Sequence, residues 1–294
     1  MSNTIYGQIH EVFDDQKMIS ILRNNHVSYY YFSKPMHKIL EPYLESGNFI
    51  FLNVSNKTKK IRQRMAYQIE SVNKVLTPGR RSSNIFYDES EIRMGIRKIV
   101  NERGYKMYLD LEMSMPPYEE YQSFVSEVIQ CGLVVADTNG LIVDTYSTYI
   151  KPTKYPKISA RTKKFLSIDQ DDIEDGISFT EFYNKYIELV EKYNPMILVW
   201  GKSDILSIKK CIEINNLNEY EFRYIDLLKL HRTYFNLKND LGLFNAFKEY
   251  KGIEANQHHN ALTDAYVTKE VFDSFKKVCN KELIVSFDKE WNKR

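Results

Sequence analysis

Residues 105–113 read Tyr-Lys-Met-Tyr-Leu-Asp-Leu-Glu-Met, a nearly continuous apolar run broken by two acids, Asp110 and Glu112. Side chains alternate along a strand, so both carboxylates project from one face, about 7 Å apart. Burying such a like-charged pair is costly or raises one pKa, whereas one or two divalent cations hold both ionised. Asp-x-Glu recurs at Asp172/Glu174 and Asp288/Glu290, but there the neighbours are polar and solvate the charge. Context singles out the first copy, framed by Tyr108, Leu109, Leu111 and Met113.

Downstream of that strand, helices and strands mix as in an α/β domain. Strands over 127–137 and 141–150 flank Thr138-Asn139-Gly140, the turn of a hairpin. A helix over 178–193 precedes a buried strand over 196–200, and Asp204 opens another helix ending near Asn215. A short strand over 223–226 and helices over 241–250 and 261–277 follow. Asp204 thus emerges at the sheet edge where ligands bind in α/β folds, although an Asp there also serves as a helix N-cap. In HNALTDAY, His259 sits at or just before a helix start, with Asp264 one turn inside and His258 its nearest rival. The same spacing at His10 and Asp15 falls on a predicted strand and turn, so spacing alone decides nothing.

Upstream, the first 75 residues alternate short apolar runs with turns. Strands over 6–13, 18–23 and 27–32, a helix over 35–44, and strands over 48–54 and 61–72 give the element order of a five-stranded OB barrel. Tyr29 and Tyr31 share one face of the third strand, and Tyr30 and Phe32 the other; one pair belongs to the core. Residues 1–100 hold 15 Lys and Arg against 9 Asp and Glu, while the remainder holds 26 against 30, so the small net charge of +2 hides a basic front and an acidic rear. From Lys57 to Arg81 eight basic residues face only Glu70. Tyr29 and Tyr31 with Lys59, Lys60, Arg62 and Arg64 therefore make a candidate surface for a single-stranded polyanion, because single strands need aromatic platforms and cations. Charge alone equally fits a solvated strand.

The two halves meet at TPGRRSSN, residues 77–84, whose Pro, Gly and Ser break strands and helices. Asp88 then offers an N-cap with Glu91 three residues on, and a helix runs to Gly104. The expected division is a barrel over 1–76, a linker and connecting helix over 77–103, and an α/β domain over 104–294.

The composition, 43% hydrophobic and 27% charged, is that of an ordinary globular chain. No apolar run approaches the roughly 20 residues that span a bilayer, which argues against a membrane partner. The N-terminus lacks a secretory pattern, so a cytoplasmic location is expected. Cys131, Cys211 and Cys279 are odd in number and far apart, which fits reduced core residues.

Taken in order, LDLE, WGKSD and HNALTDA resemble the three exonuclease motifs of the DEDDh superfamily, which includes oligoribonuclease, ribonuclease T and the proofreading subunit of bacterial DNA polymerase III. The resemblance spans about residues 105–277, and the Trp-Gly before Asp204 looks most like the Eri-type exoribonucleases. Many members carry Thr and Gly where this chain has Leu166 and Ser167. The resemblance implies a ribonuclease H-like mixed sheet flanked by helices for the second domain, while the smaller all-β OB-like or cold-shock-like barrel rests on the element order of the first 75 residues. It also implies metal-dependent 3′-to-5′ hydrolysis of single-stranded RNA, or of DNA, to nucleoside 5′-monophosphates. Asp110 would bridge two Mg2+ or Mn2+ ions, Glu112 and Asp264 would help hold one and Asp204 the other, and His259 would be the general base. Leu111 and Met113 would shape the pocket of the terminal nucleotide.

Overall fold

A computed structural model of the chain describes residues 3–24, 26–79, 82–118, 124–237, 239–254, 259–285 and 287. Two compact units divide it, Met1–Ile96 and Arg97–Arg294.

In the first unit β1 (Asn3–Phe13), β2 (Met18–Arg23) and β3 (His26–Tyr31) lead to α1 (Lys34–Leu40), which runs on into a 3-10 turn, Glu41–Tyr43. Then come β4 (Phe49–Ile61), β5 (Arg64–Thr77) and β6 (Asn84–Asp88). The strand order is β3-β2-β1-β4-β5-β6, and a parallel pairing of β3 with β5 closes the first five strands into a barrel. Ile9, Ile19, Ile21, Ile50, Leu52 and Ile69 fill it. Tyr30 and Phe32 are the tyrosine-strand pair that turns inward, which leaves Tyr29 and Tyr31 half-buried on the outside.

Two features depart from the expected pattern. The last barrel strands form a longer hairpin, so Lys59 and Lys60 lie on β4, Arg62 sits in the turn at φ 52°, and Arg64 starts β5. A solvated hairpin tip buries neither face and so leaves no apolar period to read. The stretch expected as a linker carries β6, which pairs antiparallel with β5 from Thr77↔Asn84 to Lys74↔Asp88. Arg80 and Arg81 lie outside the described residues. Asp88 does start the next helix, α2 (Glu89–Val100), its Oδ1 accepting the Ser90 N–H at 2.9 Å.

The second unit runs β7 (Lys106–Met113), β8 (Val128–Ala136), β9 (Ile142–Lys151), α3 (Ala160–Leu166), α4 (Gln170–Glu174), β10 (Ile177–Ser178) and α5 (Phe179–Tyr193). It continues with β11 (Met196–Val199), α6 (Ser203–Ile214), β12 (Tyr224–Asp226), α7 (Leu227–Phe235), α8 (Leu243–Lys251) and α9 (Ala261–Cys279). The sheet order is β10-β9-β8-β7-β11-β12, with β8 antiparallel to both neighbours and β7, β11 and β12 parallel. On one face Met107, Leu109 and Leu111 pack with Phe182, Tyr186 and Ile208 of α5 and α6. The other face meets α9, where Tyr108 and Phe272 bring their rings to 5.8 Å. Sequence periodicity passed over α3, α4 and α7 because five to nine residues offer too few turns to establish a period. All three cysteines are free and buried.

Candidate active site

Asp110 and Glu112 share the parity of Tyr108, so strand alternation turns them to the face that α9 covers. Opposite them on β8 stand Gly132 and Gln130. A Cβ on Gly132 would lie 2.2 Å from the backbone of Ala261, so the first residue of α9 rests directly on β8. Gln130 Oε1 accepts the Ala261 N–H at 3.1 Å, and Asn260 Oδ1 caps the helix by accepting the Thr263 N–H at 3.1 Å. This seating brings His259 and Asp264 over β7.

There, ligand atoms of Glu112, His259 and Asp264 all lie within 4.8 Å of one another. His259 Nδ1 is 3.9 Å from Glu112 Oε1, and its backbone is left-handed at φ 47°. The imidazole rests against the half-exposed Phe165 ring, with centroids 4.1 Å apart.

Asp204 arrives from the other side. The β7 and β11 pairing ends at Tyr108↔Leu198, and the chain turns through Gly201, at φ 93°, into α6. Asp204, 5% exposed in the first turn of that helix, then accepts the Leu111 N–H at 3.1 Å, on the strand beyond the end of the β11 pairing. Trp200 Nε1 donates to the Leu241 carbonyl at 2.9 Å and pins the approach to the turn.

Four acids in one partly desolvated site strain one another. Burial, then the charges of Asp204, Asp264 and Glu112, push Asp110 well above the usual carboxylate range. Burial, followed by Asp264 and Asp204, lifts Glu112 to about 8. Burial also takes Asp204 to about 7, against the opposing pull of hydrogen bonds that include the Leu111 N–H. His259 is lowered by burial and so favours its neutral form. Hard oxygen donors with one imidazole, with Asp110 and Glu112 raised by the neighbouring acids as well as by burial, suit a divalent cation, which offsets that repulsion.

Of the residues expected from sequence, the structure brings Asp110, Glu112, Asp204, His259 and Asp264 together. The remaining candidates fall on another face of the sheet or in the other unit. The Leu111 side chain points the other way, into the main core, with Met113 half-buried against the same cluster, because both have the opposite parity on β7; what Leu111 contributes to the site is its N–H. Tyr29, Tyr31, Lys59, Lys60, Arg62 and Arg64 lie in the barrel unit, where the Arg64 guanidinium sits 4.5 Å over Phe13 and 5.3 Å over Tyr29. Arg62 pairs with Asp15 at 2.6 Å. Sequence reading missed Gln130, Gly132 and Phe165. A glycine inside the apolar run VIQCGLVVA was a signal of close backbone approach; Phe165 gave none.

Residues 108–272 match the RNase_T family, described as exonuclease. The chain is 31% identical over 168 residues to the probable 3′-5′ exonuclease KapD of Bacillus subtilis, covering 56% of this chain and 82% of that protein. It is 30% identical over 163 residues to the PolC-type DNA polymerase III of Thermotoga maritima, covering 53% of this chain but 11% of that much longer protein. Among solved structures, the nuclease domain of 3′hExo, a DEDDh family member bound to rAMP, is similar at a TM-score of 0.53 and 19% identity, over 63% of this chain and 96% of that one. Cell-death related nuclease 4 is similar at 0.51 and 19%, over 63% and 66%. The fold, the acids gathered on β7, α6 and α9, and these matches agree: the chain belongs to the RNase_T exonuclease family and is a 3′-to-5′ exonuclease.

Proposed function

We propose that this exonuclease uses two divalent cations, Mg2+ or Mn2+, to release nucleoside 5′-monophosphates from single-stranded nucleic acid, with RNA favoured, and that the barrel delivers the strand. The convergence of Asp110, Glu112, Asp204 and Asp264 beside His259 carries the reading. When bound, the cations supply a lowered pKa for water and neutralise charge on the phosphate. The four carboxylates would hold them. His259, whose partial burial favours the neutral form and which is flanked by Glu112 and Phe165, accepts the proton of the attacking water.

RNA is supported by the Eri-like Trp200-Gly201 before Asp204 and by a barrel that bears aromatics and a basic hairpin. DNA is the second reading, favoured by the likeness to PolC-type DNA polymerase III. Matched 5′-labelled RNA and DNA oligonucleotides, digested with Mg2+ or Mn2+ and resolved over time, decide between them. Stepwise shortening from the 3′ end with mononucleotide release is expected, faster on RNA. DNA degraded at an equal or greater rate would remove the preference, and internal fragments would remove the exonuclease assignment.

A further inference from the structure

The outer face of β1, β4 and β5 bears a set of side chains that the filled barrel core does not require. Tyr6 and Phe51 are a direct cross-strand pair, and their rings stack at 5.6 Å and 16° with Tyr6 54% exposed. Arg23 lies 5.5 Å over the Tyr6 ring. Two pairs along, on the same face, Thr4 meets Asn53, and Asn53 is fully committed: its Oδ1 accepts from Thr4 Oγ1 at 2.8 Å, while its Nδ2 donates to Ser71 Oγ at 2.9 Å and Asn73 Oδ1 at 3.1 Å.

The register of β5 explains why Asn73 takes part. Phe51 pairs with Lys74 and Leu52 with Val72, so Asn73 is the extra residue of a β-bulge. A bulge lets two successive residues share one side of a sheet, and bulges re-aim side chains at functional places. Asn73 and Lys74 accordingly both line a cavity of about 390 Å³, together with Phe51, Thr4 and the start of α2. With its Oδ1 occupied by Asn53, Asn73 presents Nδ2, which makes no hydrogen bond among the described residues, as a donor.

We infer that this cavity is a nucleobase site: a base stacks on Phe51, which Tyr6 backs, and its acceptor edge takes a hydrogen bond from Asn73. The charges select the ring rather than a phosphate, because both cations in the wall are already matched, Lys74 by Asp88 at 2.9 Å and Arg93 by Glu89 at 2.9 Å. The site lies away from Phe13, Tyr29 and Arg64, so the barrel offers a strand two stacking places instead of one. This inference rests on single-stranded nucleic acid being the substrate.

The test uses the full chain with metal chelated, so that a single-stranded oligonucleotide carrying 2-aminopurine is bound but not cut. Tyr6→Ser, Phe51→Leu and Asn73→Ala are compared with the unaltered protein by anisotropy and 2-aminopurine quenching. Phe51→Leu decides, since it removes the ring that would carry the base; Asn73→Ala removes the donor, and Tyr6→Ser only the backing ring. Loss of a base–aromatic stack corresponds to roughly 5- to 100-fold in affinity. The expected result is a Kd raised at least about 5-fold by Phe51→Leu and raised also by Asn73→Ala, with reduced quenching and a chain that still melts cooperatively. A Kd within about twofold of the unaltered protein overturns the site, as does an unaltered protein that fails to bind. Hydrolysis of a nitrophenyl ester of a nucleoside 5′-monophosphate, measured with Mn2+ in parallel, reads the nuclease site alone. If the unaltered protein fails there, the exonuclease mechanism is at fault and the binding result stands separately.

Discussion

Gln130 Oε1 accepts the backbone N–H of Ala261 at 3.1 Å, a bond that ties the second strand of the nuclease sheet to the first residue of the helix carrying Asp264. Two positions along, Gly132 leaves no room between the same strand and the same residue. Gly132→Ala is therefore expected to push the start of α9 away from β7. Overpacking of this kind costs about 1–3 kcal/mol, and a shift near 1 Å at reacting groups costs roughly 10²-fold in rate. Thermal melts and kcat/KM for a short oligonucleotide check this; full activity in Gly132→Ala would show that α9 is seated by other contacts.

Asp110 is the acid most burdened by its neighbours, with burial and three other carboxyls raising it. Asp110→Asn removes a cation ligand and the repulsion together. Hydrolysis should fall by roughly 10³-fold or more, since cation stabilisation supplies several kcal/mol. In chelator the same variant should melt no lower than the unaltered protein. An inactive variant that also melts much lower would mean that Asp110 serves the fold.

The raised carboxyls make a pH signature. With Asp204 near 7 and Glu112 near 8, the folded chain without metal keeps protons that unfolded carboxyls, titrating near 4, have already lost. Between about pH 4 and 8 the folded state thus binds more protons, and its stability declines as pH rises. Cations need the ionised groups, so they should restore what is lost. Saturating Mg2+ or Mn2+ is expected to raise the melting temperature by about 5–10 °C near pH 8, with release of protons. Calorimetric titration in two buffers reads that release; none would mean the acids are already ionised without metal.

His231 moves stability the opposite way. It is fully buried among Trp200, Phe235, Tyr250 and Phe275, neither ring nitrogen has a hydrogen-bond partner among the described residues, and burial lowers it to about 3. Below the ordinary pKa of 6.5 the unfolded chain binds the extra proton, so stability falls as pH drops from about 6.5 toward 3. At pH 5 this amounts to about 2 kcal/mol. His231→Phe should flatten the acid side of the melting profile; an unchanged profile would mean the ring is reached by water.

Lys59, Lys60 and Arg62 crown the β4–β5 hairpin. If they follow the strand, replacing all three by Ala should lower the slope of log affinity against log salt by about 2, at roughly 0.7 per phosphate contact for single strands. Fluorescence anisotropy over roughly 50 to 200 mM salt measures it. An unchanged slope would retire the hairpin from strand binding.

Much of this chain was legible as a string because short-range rules fixed it. Alternation on β7 aimed Asp110 and Glu112 together, Asp88 marked the start of α2, and Thr138-Asn139-Gly140 marked a hairpin turn, each within a few residues. Other features depend on what a distant segment supplies. Whether Gly132 is a defect or a seat depends on Ala261, 129 positions later; β6 exists because β5 offers an edge to pair with; and Phe165 meets His259 across 94 residues. The sequence determined which groups could do the chemistry and that two of them share a strand face. Only the tertiary structure decided their distances, their burial and therefore their proton affinities, because those depend on which segments exclude water from the site.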